Sequence, residues 1–274
     1  MMTGPVVITG AGSGIGRALA LVYAESGRPL LLLGRRQQPL EVTAEQARSR
    51  GAVVRAISVD VSQIQALDQI AQDFSEAFGK ISIVIANAGI SHGTLALERE
   101  DRPVFAEIIT TNLLGMDNTC TAFLPYLARD GRIAGIASVA GFRGLPGAAA
   151  YSASKAGVMA YLESLRLELK KRGTKVCCIA PGYIATPMTA GNPYPMPWLM
   201  DPEKAARKIR RAIDRGQAWL VIPWQMALVG MILRHLPIAV YDRLFVQVAG
   251  KARKTEPEQM VNDVRSSSDS PPKA

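Results

Sequence analysis

Short runs that are apolar at every position recur through most of the chain, and longer stretches of helical pattern separate them. A strand with apolar side chains on both sides has to be covered on both sides, which is the condition of a parallel sheet lying between helical layers. The spacing predicts strands over residues 5–9, 30–33, 53–59, 81–86, 131–137, 175–180 and 218–222. Helices are expected over 16–26, 40–50, 64–77, 101–127 (with Pro103 in its first turn), 151–172, and from the Asp201-Pro202-Glu203 cap to about 215. Right-handed crossovers between such units leave one natural topology: a single Rossmann-type, doubly wound parallel α/β sheet of about seven strands with helices on both faces.

At 274 residues the chain suits one large domain. Residues 1–250 are read as that domain, with an apolar helical extension from about 223. Residues 251–274, basic and then Ser- and Pro-rich, are expected to be a disordered tail. The N-terminus carries no basic n-region of a signal peptide. Three cysteines, Cys120, Cys177 and Cys178, and two histidines, His92 and His235, show no CxxC or HxxxH spacing. Neither a disulfide scaffold nor a metal site is expected, and reduced thiols favour a cytoplasmic setting. The formal net charge of +9 suits phosphate-bearing ligands, anionic membranes or nucleic acid. The basic residues are scattered over helix ends without interleaved aromatics or a recognised module, so a nucleic-acid partner is not expected.

Four glycines in Thr9-Gly10-Ala11-Gly12-Ser13-Gly14-Ile15-Gly16 join the first strand to the first helix. Glycines there let the backbone approach a pyrophosphate, and the helix N-terminus offers N–H groups and partial positive charge. The spacing is not GxGxxG, since Arg17 stands three residues after Gly14. A dinucleotide site of this kind usually places a carboxylate at the end of the second strand to hold the ribose 2′-hydroxyl. Here the strand ends Leu33-Gly34-Arg35-Arg36, and a guanidinium can pair with a 2′-phosphate instead. NADP(H) is therefore favoured over NAD(H), the plain alternative being that Arg35 and Arg36 are solvated loop charges.

Tyr151 and Lys155, at i and i+4, share one helical face. A close ammonium stabilises a phenolate, so Tyr151 is a candidate proton donor with Lys155 as its electrostatic partner. The strand before this helix ends in Ala137-Ser138, whose hydroxyl could share the same carbonyl oxygen.

With these motifs in order, the sequence resembles the short-chain dehydrogenase/reductase family over about residues 6–186. The resemblance rests on Thr9, Gly10, Gly14 and Gly16 of a TGxxxGxG loop, Asn87-Ala88-Gly89 after the fourth strand, Asn112, Ser138, the Tyr151/Lys155 pair, and Pro181-Gly182 followed by Thr186. It implies Tyr151 as catalytic acid/base, Ser138 orienting the substrate carbonyl, and Lys155 also holding the nicotinamide ribose. Asn112 would hold a water linking Lys155 to solvent. Asp60, followed by Val61, would lie beside the adenine, Asn87 would steady the sheet, and Thr186 would contact the carboxamide. Gly10, Ser13, Gly14, Ile15, Gly16, Ala88, Gly89, Pro181, Gly182 and Ile184 complete the implied cofactor contacts, and Arg35 matches the basic position of NADP-preferring members. The implied reaction is hydride transfer between NADP(H) and a small-molecule carbonyl or alcohol, in a homodimer or homotetramer. A non-catalytic dinucleotide sensor or scaffold on the same fold is the alternative.

The loop 187–200 contributes Met188, Tyr194, Met196, Trp198, Leu199 and Met200, a wall suited to a bulky or apolar substrate, or else a cap on the core. Residues 216–233 carry no charge, but Pro223 interrupts them, so a spanning helix is not expected. An apolar helical pair after Pro223 would rest on the enzyme, line its substrate entrance or make peripheral contact with a membrane. Burial in a dimer is the preferred reading.

Overall fold

The computed structural model describes residues 4–192, 194–246, 248, 250, 253 and 254. Seven strands form one parallel sheet in the order β3-β2-β1-β4-β5-β6-β7: β1 Val6–Thr9, β2 Leu30–Gly34, β3 Val54–Ser58, β4 Ile81–Ala86, β5 Leu127–Ile136, β6 Lys175–Pro181 and β7 Trp219–Ile222. The helices are α1 Gly14–Ala24, α2 Gln37–Ser49, α3 Ile64–Phe78, α4 Arg102–Ile109, α5 Gly115–Phe123, α6 Ala149–Glu168, α7 Pro202–Asp214, α8 Trp224–His235 and α9 Ile238–Phe245.

Alternation along each strand divides the core in two. Val6, Ile8, Leu30 and Leu32 face the layer of α1, α2 and α7, while Val7, Leu31 and Leu33 face that of α3, α5 and α6. Cys177 and Cys178 fall on opposite sides in the same way. Strand order reverses between β1 and β4, and their C-terminal ends open the crevice where ligands bind in such sheets.

Two expected elements differ. The helix predicted over 101–127 is broken: α4 passes through a π turn at Thr110–Leu114 into α5, which stops at Phe123 before a 3-10 turn containing Pro125. Pro125 offers no N–H to carry an α-helix on, and the chain turns extended at Leu127, where β5 begins ahead of the expected residue 131. The first helix starts at Gly14 rather than Gly16, which brings its N-terminus into the glycine loop.

The apolar extension is a helical pair. Gly230 of α8 lies against Phe142, so closely that a Cβ at Gly230 would meet the ring at 2.2 Å. Arg143 donates to the carbonyls of Leu233 (2.7 Å) and Leu236 (2.6 Å), and its guanidinium lies 4.1 Å from the Tyr241 ring centroid. Beyond α9, Arg253 pairs with the buried Asp101 at 2.9 Å, and Lys254 with Glu107 at 2.6 Å. Of the tail over 251–274 only these two residues are described, and they lie against the body; the rest of that expectation falls outside the described residues.

Candidate active site

A cleft of about 460 Å³ runs over the C-terminal ends of the strands. Its floor is the glycine loop. Gly16 is pressed into the turn, where a Cβ would stand 2.2 Å from the Gly10 carbonyl and 2.5 Å from Asn87 Nδ2. Asn87 fixes that contact from β4, donating from Nδ2 to the carbonyls of Thr9 (2.9 Å) and Gly10 (3.2 Å). The Thr9 hydroxyl accepts from the N–H groups of Asn87 (3.0 Å) and Ala88 (3.1 Å), so β1 and β4 are tied together at the mouth of the cleft. The Ser13 side chain makes no capping hydrogen bond at the start of α1, whereas Asp201 caps α7 by accepting from Lys204 N at 2.9 Å.

Most of the residues singled out from the sequence meet on this cleft: Gly10, Ser13, Gly14, Ile15, Arg35, Val61, Asn87, Ala88, Gly89, Ser138, Tyr151, Lys155, Pro181, Gly182, Ile184 and Thr186. Gly16, Asp60 and Asn112 do not line it. Asp60 Oδ1 accepts from Ser62 N at 2.9 Å, and its other oxygen lies 3.7 Å from Arg35. Asn112, in the π turn, is fully buried. Its Oδ1 accepts from Ile90 N (2.8 Å), and its Nδ2 donates to Ile90 O (3.0 Å) and to the Ser154 hydroxyl (3.0 Å).

Ser138, Tyr151 and Lys155 come together on the wall of the cleft. The backbone after β5 turns sharply at Ser138, whose hydroxyl accepts from Ala140 N at 3.2 Å. The turn rests directly on α6, since a Cβ at Gly141 would come within 2.8 Å of the Lys155 carbonyl carbon. Ser138 and Tyr151 share a hydrogen bond. Lys155 is buried; its Nζ donates to Ile136 O at 2.8 Å and lies 5.8 Å from the Tyr151 ring centroid.

Burial dominates the proton affinities of both groups. Burial pushes the Tyr151 phenol above its ordinary value, opposed by the Ser138 hydrogen bond. Burial also brings the Lys155 ammonium down to about 8. The site therefore holds a protonated phenol beside an ammonium that is charged at neutral pH and loses its charge as pH rises through about 8. A phenol in that state is prepared to give a proton rather than to take one.

Three participants were not singled out from the sequence. Thr111 and Thr189 line the cleft, beside Met188 of the expected loop wall, and Ser154 joins Asn112 to α6 by donating to Tyr151 O at 2.8 Å. Ser154 stands three residues after Tyr151, which places it one turn along the same helix, the only signal it gave.

Against Tyr151 and Ser138 opens a second cavity of about 270 Å³. Val139, Leu145, Pro146, Tyr183, Tyr194 and Phe245 make most of its wall apolar. The glycine floor, the N-terminus of α1 and the basic rim at Arg35 and Arg36 fit a dinucleotide in the first cleft.

A family model described as short chain dehydrogenase matches residues 5–194. An uncharacterized oxidoreductase of Myxococcus xanthus is 39% identical over 239 residues, covering 86% of this chain and 94% of its own. Epidermal retinol dehydrogenase 2 of Homo sapiens is 35% identical over 243 residues, covering 85% of this chain and 78% of its own. Among solved structures, the alcohol dehydrogenase of Thermococcus sibiricus complexed with 5-hydroxy-NADP superposes with a TM-score of 0.72 at 27% identity, over 81% of this chain and 96% of that one. The parallel sheet agrees with these likenesses, and the chain belongs to the short-chain dehydrogenase family of oxidoreductases acting on CH–OH and C=O groups.

Proposed function

We propose that the protein is an NADP(H)-dependent oxidoreductase that interconverts a bulky, apolar ketone or aldehyde and its alcohol, with Tyr151 as acid/base. One observation carries this reading: Ser138 and Tyr151 belong to the walls of both cavities, so the proton donor stands where a cofactor cleft and an apolar substrate cavity meet.

The glycine loop, Arg35 and Lys155 would hold a nicotinamide dinucleotide in the first cleft, and that group would supply or accept the hydride. The chain does the rest. Ser138 orients the carbonyl oxygen by hydrogen bonding, and Tyr151 gives that oxygen its phenolic proton as negative charge develops there. Lys155, fixed on Ile136 O, places its ammonium beside the phenol and steadies the phenolate left behind. Asn112 and Ser154 hold the π turn against α6, keeping Tyr151 in register. In the oxidative direction the same groups act in reverse, with Tyr151 taking the proton.

The preference for the 2′-phosphorylated cofactor is supported at the end of β2, where Arg35 and Arg36 line the cleft and no carboxylate follows Gly34. Arg35 is only loosely engaged, 3.7 Å from Asp60 and 3.5 Å from Glu107, and remains open to a phosphate. The substrate class is supported by the apolar wall of the second cavity and agrees with the retinol named for one relative. Leu114, on the segment after β4, and Leu167, on α6, are exposed, which supports a homodimer or homotetramer built on these helices.

A panel of aliphatic, steroidal and acyl ketones and aldehydes, assayed with NADPH and NADH in parallel, tests the reading. Turnover of apolar carbonyls with NADPH is expected. Tight cofactor binding without turnover on any of them would instead mark a dinucleotide sensor.

A further inference from the structure

Helix α8 carries apolar residues on both sides. Met226 and Gly230 face the body of the protein. Opposite them, Trp224, Leu228, Met231 and Ile232 follow the spacing i, i+4, i+7 and i+8, so they form one stripe, and they are 71%, 53%, 62% and 54% exposed. Ile238, Leu244 and Val246 of the α9 segment are exposed as well. Exposed apolar surface on this scale marks a place where something binds.

These residues do not sit on a frayed end. Arg143 holds the junction of the two helices through two carbonyls, and the Tyr241 hydroxyl donates to Gly144 O. On its inner side the same segment supplies Phe245 and Val248 to the wall of the apolar cavity that contains Tyr151. One element therefore shows an apolar face outward and closes the substrate cavity inward.

Charge decides what covers that face. Between residues 223 and 254 stand Arg234, Arg243, Lys251, Arg253 and Lys254 against a single carboxylate, Asp242. Arg253 and Lys254 turn back to Asp101 and Glu107, while Arg234 and Arg243 are exposed beside the apolar residues. A two-fold contact with a second copy sets the same patch against itself and brings cations toward cations. Anionic headgroups accept them, and the apolar stripe enters the acyl boundary. No helix among the described residues is long and apolar enough to cross a membrane, so the contact is peripheral.

We propose that α8 and α9 are a docking face for the surface of an anionic lipid bilayer, from which an apolar carbonyl compound reaches the cavity behind α9. The delivery step rests on the oxidoreductase reading above; the docking itself does not.

Flotation of the full chain with vesicles of phosphatidylcholine alone, or of phosphatidylcholine with phosphatidylglycerol, tests the proposal. The chain is expected to float with the mixed vesicles, less so as salt rises. The double variant Leu228→Glu/Met231→Glu is expected to stay in the aqueous layer with unchanged thermal midpoint and sedimentation mass. Arg243→Gln is expected to bind the mixed vesicles about fivefold more weakly. A chain that floats with neither vesicle overturns the proposal. So does a double variant whose sedimentation mass drops, because the face would then be buried between copies. Because flotation needs no turnover, a chain that floats but reduces no carbonyl would count against the enzymatic reading alone.

Discussion

At Tyr151 and Lys155, burial governs both proton affinities, and it moves them in opposite senses. The Tyr151 phenol is pushed up, so it stays protonated across the neutral and mildly alkaline range. Lys155 is brought down to about 8, so its charge is present below that pH and lost as pH rises through it. Reductive kcat/KM, which reports the free enzyme, is accordingly expected to fall by one proton centred near 8 while Tyr151 remains protonated. A profile flat up to the alkaline limit of the assay would show that the ammonium takes no part. Arg35 carries a separate prediction. Arg35→Ala should weaken NADPH by roughly ten- to hundredfold, the worth of a charge-assisted hydrogen bond, and leave NADH nearly unchanged. Fluorescence titration with both cofactors measures the difference, and equal losses for the two would make Arg35 a general surface charge.

Among the elements, helix starts and stops position the site, and here reading the sequence succeeded unevenly. Apolar runs marked β1, β2 and β4 most plainly, because a strand buried on both faces has no polar position to blur it, whereas β3 and β7 at the edges of the sheet are only partly buried. The interruption between α4 and α5 was not legible. Thr110-Thr111-Asn112 fits a helical pattern as well as any, and the π turn exists because Asn112 reaches Ile90 and Ser154, which are distant in the chain. Gly141 and Gly230 likewise look like ordinary loop and helix glycines until their neighbours are known. Gly230→Ala tests the second. In an open helix that change stabilises by about 0.5–1 kcal/mol. Against Phe142 it should instead cost about 1–3 kcal/mol, as overpacking does. Chemical denaturation decides the sign, and a stabilised variant would show that α8 is not held on Phe142.

Across the whole molecule, the parallel sheet sets the first cleft at its C-terminal edge, while the segment after Pro223 completes a second cavity on the far side of Tyr151. Motif order alone foretold the first cavity, since its glycines, Asn87, Ser138 and Tyr151 all lie on or beside sheet ends. Of the second, the loop 187–200 gave Met188 and Tyr194 in advance, but the convergence on them of Tyr183 and of Phe245 from α9 needed the fold. Local patterning also left the role of the C-terminus open, as an apolar helix reads the same whether it covers a core or faces outward. The central claim is that Tyr151 passes a proton at the junction of these cavities. It is tested most directly by measuring NADPH binding and carbonyl turnover side by side in Tyr151→Phe, which keeps the ring and removes only the hydroxyl. Turnover is expected to drop by roughly 10²- to 10⁴-fold, the usual share of a general acid, with NADPH affinity unchanged. Turnover at the level of the unaltered protein would contradict the account.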